Sequence, residues 1–353
     1  MPSGAPLAPR PCDWGAVRLL SFIVRRLAQL LLVLFGMLLL TFFVSHMVPG
    51  DPARLAAGLH ATQSQVDQVR REFGLNLPLS EQFVRYAENL LHGNLGLSIL
   101  TRNPVSQDLG AYFPATLEIT LTALVIVLVV GIPLGVVSAV RRDGLPDHLS
   151  RVFALLGVSM PSFWLAVLLQ EVFAQKLGWL PVGGMLSSYL TPPDHITGLY
   201  VLDSLLTGNW PDFTSALASL ILPSLTLAFG SLAIMTRMVR AKLLDVLRQD
   251  FIRTARAKGL PERRVIYMHA LKNALPPAVT VIGLQVGSLL QGAVLVEAIF
   301  AWPGVGTYAL QASEGLDFPA ILGFTMLVSI VYVLINTIVD ILYAFLDPRI
   351  SYS

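Results

Sequence analysis

Six apolar runs constrain this chain more than any other feature. They cover residues 27–48, 115–140, 152–174, 215–236, 278–300 and 318–346, and none contains Lys or Arg. Crossing a hydrocarbon core takes about 20 apolar residues in a helix, and each run has that length. Only 13% of the chain is charged and its mean hydropathy is +0.68, whereas a soluble domain carries roughly 25% charged residues. The runs therefore predict an all-α polytopic membrane protein with six transmembrane helices.

The basic residues set the expected orientation. With the N-terminus in the cytosol, the inside segments hold 18 of the 24 Lys and Arg, and the outside ones hold Arg54, Arg70, Arg71, Arg85, Arg102 and Lys176. Five of those six lie in the long first outer segment, and long loops translocate regardless of charge. The opposite orientation reverses the counts, so both termini are expected inside.

The expected organisation follows the runs. Residues 1–17 are Pro-rich and aperiodic and read as a disordered cytosolic tail, with the first transmembrane helix over 18–48. The first run is too long for a cleaved signal peptide. A polar segment over 49–114 reads as an extracytoplasmic domain, with helices expected at 64–73 and 80–92. Such a segment serves either as a stabilising cap or as a docking surface. Residues 115–346 form a core of five further helices, and 347–353 return to the cytosol. Pro133, Pro161 and Pro223 interrupt apolar runs and favour kinks. Gly131 with Gly135, and Gly283 with Gly287, make GxxxG pairs, which suit close helix packing more than hinging.

A basic amphipathic loop over 237–277 separates the fourth and fifth runs. Ten of the 24 Lys and Arg lie between Arg237 and Lys272, against Asp245, Asp250 and Glu262. FIRTARAK predicts a short helix with Asp250 as N-cap. Gly259 then takes the chain out of helical geometry, and Pro261 follows. Phe251 and Ala255 share a face with Leu247, while Arg253, Arg256 and Lys258 point elsewhere. A capped, small-faced loop helix suits being gripped by another protein; a basic loop can also simply orient the chain and attract anionic lipid.

Signals for chemistry are absent. Without a Gly-Lys dipeptide there is no phosphate-binding P-loop, and neither G-x-S-x-G nor H-E-x-x-H occurs. Six scattered histidines and the single Cys12 offer no metal-ligand spacing and no disulfide within the chain. No catalytic residue and no metal site is expected, nor is a nucleic-acid partner. Glu118, Glu171 and Glu297 lie near outer ends of runs, where interfacial hydration accounts for them. Asp340 is deeper, with Asn336 one turn before it, and suits packing or hydrogen bonding better than an ion site.

The order of residues in the basic loop carries a resemblance. RTARAKGL at 253–260, followed by HALKNALPP at 269–277, resembles the EAA loop of integral permease subunits of ABC importers, in the form used by the peptide/nickel branch. The general pattern is Glu-Ala-Ala, three residues, then Gly. Arg253 and Thr254 depart from it as that branch does, while Ala255 and Gly259 match. PGDPA at 49–53, FPATLEIT at 113–120, AIFAWPGVG at 298–306 and LYAFLDPRI at 342–350 are similar to other segments of that family. TPPDHITGLYVLDSLLTGNW, at 191–210, resembles an insert of dipeptide permeases.

The resemblance implies a type I permease core in a bacterial cytoplasmic (inner) membrane, importing dipeptides or short oligopeptides by alternating access. It also implies a second homologous permease, two ABC ATPase subunits holding ATP and Mg, and an extracytoplasmic solute-binding protein; this chain itself needs no cofactor. The ATPase-coupling residues would be Arg253, Thr254, Ala255, Arg256, Lys258, Gly259 and Leu260, with Ala255 permitting close approach of the ATPase. The substrate pathway is not identified. Import of nickel, glutathione or haem on the same fold is the alternative; an ion-coupled secondary transporter built on Asp340 is a remote one.

Overall fold

The computed structural model describes residues 13–47, 50–58, 60–187, 189, 190, 192 and 196–346. Among these the chain is helical, with one isolated antiparallel bridge between Leu97 and Pro104. Helix α1 spans Asp13–Met47. Three short helices follow outside the apolar core: α2 (Pro52–Ala57), α3 (Gln63–Glu72) and α4 (Leu79–Leu91). Then come α5 (Val105–Val140), α6 (Leu145–Ser159), α7 (Ser162–Lys176), α8 (Tyr200–Leu206) and α9 (Trp210–Leu247). The chain ends with α10 (Asp250–Ala257), α11 (262–274), α12 (Pro276–Ile299), α13 (Val305–Glu314) and α14 (Phe318–Leu346).

Four described helices are long and apolar enough to cross a membrane: α5, α9, α12 and α14. The run expected as one span over 152–174 is instead broken. Its two halves, α6 and α7, meet at 109° around Met160 and Pro161. Proline has no amide hydrogen and pushes its predecessor out of the helical region; Met160 accordingly sits at φ −79°, ψ 125°. Pro133 acts differently. It follows a widened π-helical turn at Val127–Gly131, which keeps α5 continuous where a tight turn would clash with the ring.

Two other expected boundaries move. The described part of helix α1 begins at Asp13, within the stretch expected as a tail. Helix α5 begins at Val105, not 115, and runs through Pro114. Its first turn is anchored by buried Asp108, which accepts from Thr101 Oγ1 at 2.5 Å and Asn103 Nδ2 at 3.1 Å.

Helix α9 organises the packing. Its 38 residues extend about 57 Å at 1.5 Å per residue, well beyond a hydrocarbon core of about 30 Å. It packs against α5, α6, α7, α8 and α12, while α14 packs against α1 and α12. The common core includes Ile119, Leu222, Met235, Leu289, Phe300 and Trp302. Both GxxxG pairs lie at close helix contacts. A Cβ on Gly135 would come within 2.7 Å of Val239, and one on Gly287 within 2.5 Å of Tyr332.

Two of the three acids expected to be hydrated are buried. Glu118 is 5% and Glu297 0% exposed. Both work as helix caps supplied by a neighbouring element. Glu118 accepts from Tyr200 N and Val201 N at the start of α8. Glu297 accepts from Gly306 N and Thr307 N at the start of α13, and from Thr116 Oγ1. Each satisfies amides that a helix start leaves free. Glu171 is half exposed and pairs with Lys176, as its interfacial position suggested. The side chain of Asp340 lies outside the described residues.

Candidate functional site

The basic loop forms a compact, rigidly closed hook. Helix α9 ends at Leu247, the chain turns at Arg248 and Gln249, and α10 runs over Asp250–Ala257. The N-cap is Gln249, not Asp250 as the sequence suggested. Ile252, 0% exposed, and Ala255, 8% exposed, face the core, and burying both fixes where the helix starts. Asp250 falls in the first turn, where a carboxylate still favours the helix dipole, and holds Arg253 Nη1 at 3.3 Å.

The C-terminal end of α10 is a Schellman closure. Gly259 has φ +73°, its amide donates to Arg256 O at 2.9 Å, and Leu260 N donates to Ala255 O at 3.4 Å. Glycine adopts that left-handed geometry without a Cβ penalty. Pro261 then starts α11. Arg256 makes a two-pronged contact with Glu262, at 3.0 and 2.5 Å, which ties α10 to α11. The Arg256 guanidinium holds the Glu262 carboxyl below the usual carboxylate range.

The predicted coupling residues are brought together, but they do not share one surface. Arg253, Thr254, Arg256, Lys258 and Gly259 are exposed, and Leu260 is half-buried. Ala255 faces the chain's own interior. Its small side chain thus permits close packing of α10 on the rest of the chain. Phe251, paired with Ala255 at the sequence level, is 41% exposed instead. Ile252 supplies the other inward contact, and its i, i+3 spacing to Ala255 is the sequence signal for it. The outward surface is one aromatic ring among cations.

A second feature lies deep among the apolar helices. At the α6–α7 break, against α9 and α12, is a cavity of about 270 Å³ lined by Ser162, Thr226, Ser231, Gln285 and Ser288 among apolar neighbours. No charged side chain lines it. Ser231 Oγ donates to Gln285 Oε1 at 2.6 Å, and both residues are buried. The Gln285 Nε2 group has no protein partner among the described residues. None of these positions stands out as a group in the sequence, although each is a polar residue inside an apolar run.

Comparison with known proteins is consistent along the chain. The family described as binding-protein-dependent transport system inner membrane component matches residues 131–352, and the N-terminal part described for the same membrane component matches 19–120. The chain is 49% identical over 331 residues to the probable D,D-dipeptide transport system permease protein DdpB of Escherichia coli K12, covering 94% of this chain and 97% of that one. It is 43% identical to the dipeptide transport system permease protein DppB of Alkalihalophilus pseudofirmus, covering 95% and 100%. The glutathione transport system permease protein GsiC of Escherichia coli O6:H1 is 40% identical over 335 residues, covering 95% and 100%. Among solved structures, the MetNI methionine ABC transporter aligns over 66% of this chain and 93% of its own, at 18% identity and a TM-score of 0.47.

Proposed function

The chain belongs to the family of inner membrane components of binding-protein-dependent transport systems, and from that premise we propose that it is the permease of an ATP-driven importer of dipeptides or short oligopeptides. The observation that carries the reading is the capped helix α10, held as an exposed basic hook beyond the end of a helix too long for the membrane. Coupling to a separate ATPase calls for such a part, rigid in itself and fixed to the spans that must move. Here the rigidity comes from buried Ile252, the Gly259 closure and the Arg256–Glu262 pair.

In this reading Arg253, Thr254, Arg256, Lys258 and Gly259 meet a cytosolic ATPase, with Phe251 as the apolar anchor, while Ala255 and Leu260 brace the helix from behind. ATP and Mg are held by two ATPase subunits. A second, homologous permease completes the pathway, and an extracytoplasmic binding protein delivers the peptide. Six spans cross the bacterial inner membrane with both termini in the cytosol, the first in α1 and the third being the bent α6–α7 pair. The cavity at Ser231 and Gln285 is this chain's share of the pathway. Its uncharged polar groups suit peptide amides and discriminate little between side chains.

The dipeptide assignment draws on relatives named for dipeptide transport; the relative named for glutathione, itself a peptide, favours a second reading within the same class. Uptake of labelled dipeptide, glutathione and nickel decides between them, in cells lacking this chain and in complemented cells. Loss of dipeptide uptake alone supports the proposal. Loss of glutathione or nickel uptake alone keeps the importer and replaces its substrate. No change in any of the three removes the substrate assignment.

A further inference from the structure

A second cavity, of about 310 Å³, opens beside the middle and last turns of α6, from Ser150 to Val158, and the cytosol-facing part of α9. Three guanidinium groups converge on it: Arg151 from α6, and Arg237 and Arg240 from α9. Two of them share a single buried acid. Asp147 takes Arg240 at 2.6 and 2.8 Å and Arg151 at 3.6 Å. Asp143, the next acid along, pairs with Arg142. Arg237 is exposed and has no acidic partner among the described residues. The pocket is therefore short of negative charge.

Its other wall is aliphatic, and its polarity runs in one direction. Arg151, Leu155 and Val158 follow one another along one face of α6 at helical spacing. Leu155 is 68% and Val158 55% exposed, and both lie deeper in the apolar run than Arg151. Cationic groups thus stand at the cytosolic end and an open aliphatic strip leads toward the bilayer interior. A phosphate group with an acyl chain attached has the same polarity in the same sense. A small free anion would leave the strip uncovered.

We propose that this pocket binds an anionic phospholipid of the inner leaflet, its phosphate held by Arg151 and Arg237 and one acyl chain lying along Leu155 and Val158. Arg240, committed to Asp147, contributes charge and holds α6 against α9 at the binding point. A lipid there would bridge α6 and α9, and α9 leads directly into the hook of α10. The assignment uses the orientation proposed above, but the binding itself does not depend on which substrate is carried.

The test is native mass spectrometry of the full chain, purified in mild detergent with whatever subunits accompany it. It is equilibrated with an equimolar mixture of dioleoyl phosphatidylglycerol and dioleoyl phosphatidylcholine. The wild type should retain phosphatidylglycerol selectively, and Arg151→Gln/Arg237→Gln should lower that retention roughly thirtyfold, as loss of two lipid-facing cations implies. Arg141→Gln/Arg142→Gln, which removes exposed charge outside the pocket, should keep the preference. Equal retention of the two lipids by the wild type overturns the proposal, as does equal loss in both double variants. Displacement of the lipid by millimolar inorganic phosphate also overturns it, since the site would then take a free anion.

Discussion

Glu297 on α12 and Gly306 in the first turn of α13 are joined by a 2.8 Å hydrogen bond, the carboxylate Oε2 accepting the backbone amide. The N-cap of α13 is Gly304, which has no side chain to offer. A Cβ there would lie 2.3 Å from the Glu297 carboxyl. The helix start therefore takes its acceptor from a neighbouring span, and Thr307 N and Thr116 Oγ1 complete the set. Glu297→Ala would leave these three donors buried without a partner, at about 1–3 kcal/mol each. The expected outcome is a several-fold drop in membrane-inserted protein and an earlier thermal transition. Wild-type abundance on a quantitative blot of membranes would show that water replaces the carboxylate.

That carboxylate also marks where sequence reading stopped. The apolar runs were legible because bilayer thickness imposes a length on them, and the hook was legible because Gly259 and Pro261 end a helix by local rules. Glu118 looked hydrated because its partners lie 82 and 83 residues away in the chain, and Glu297 because a turn must bring Gly306 and Thr307 back onto it and Thr116 lies 181 residues away. Pro161 announced a kink, but its 109° angle depends on what α6 and α7 pack against. Asp250 fits an N-cap by residue type, yet Ile252 and Ala255 must be buried together, which moves the cap to Gln249. Polar residues of the Gln285 cavity come from three helices, so no single run displayed them as a group.

Gln285 gives the next prediction. It is held by Ser231 and leaves an amide group toward the cavity. Gln285→Leu keeps a similar volume and removes both the acceptor of Ser231 and the free donor. Net hydrogen bonds are worth about 1 kcal/mol, so uptake at limiting substrate should fall roughly three- to tenfold, with membrane abundance little changed. Labelled-dipeptide uptake normalised to abundance measures this; an unchanged rate would remove the cavity from the pathway.

Asp203 makes the segment over residues 196–206 acid-sensitive. Burial raises its pKa, but hydrogen bonds from the Thr197 hydroxyl and amide and from the amides of Gly198 and Ile196 outweigh this and leave it below the ordinary value. A carboxyl lowered in the folded state stabilises the fold above its unfolded pKa of about 3.9. That contribution disappears as pH falls through the folded value. Residues 196–206 should thus lose hydrogen-exchange protection below about pH 4, ahead of the helix core. Asp203→Asn should show weakened protection already at pH 7 and much less dependence on acid. Protection that is identical in both proteins across this range would contradict the role given to the carboxylate.

Gly259 separates a folding role from a coupling role. Its φ of +73° disfavours any side chain, yet a Cβ there meets nothing within 4 Å. Gly259→Ala should therefore cost about 1 kcal/mol of backbone strain and leave insertion and most uptake intact. Gly259→Arg carries the same backbone cost and places a long cation on the exposed surface of the hook, where the ATPase proposed to dock would not accept it. It should insert at near-normal abundance and abolish uptake. The two variants must be compared at matched membrane levels, with ATPase co-purification as the second readout. Loss of uptake with loss of co-purification supports contact at this surface. Full uptake by Gly259→Arg at normal abundance would remove α10 from the coupling role.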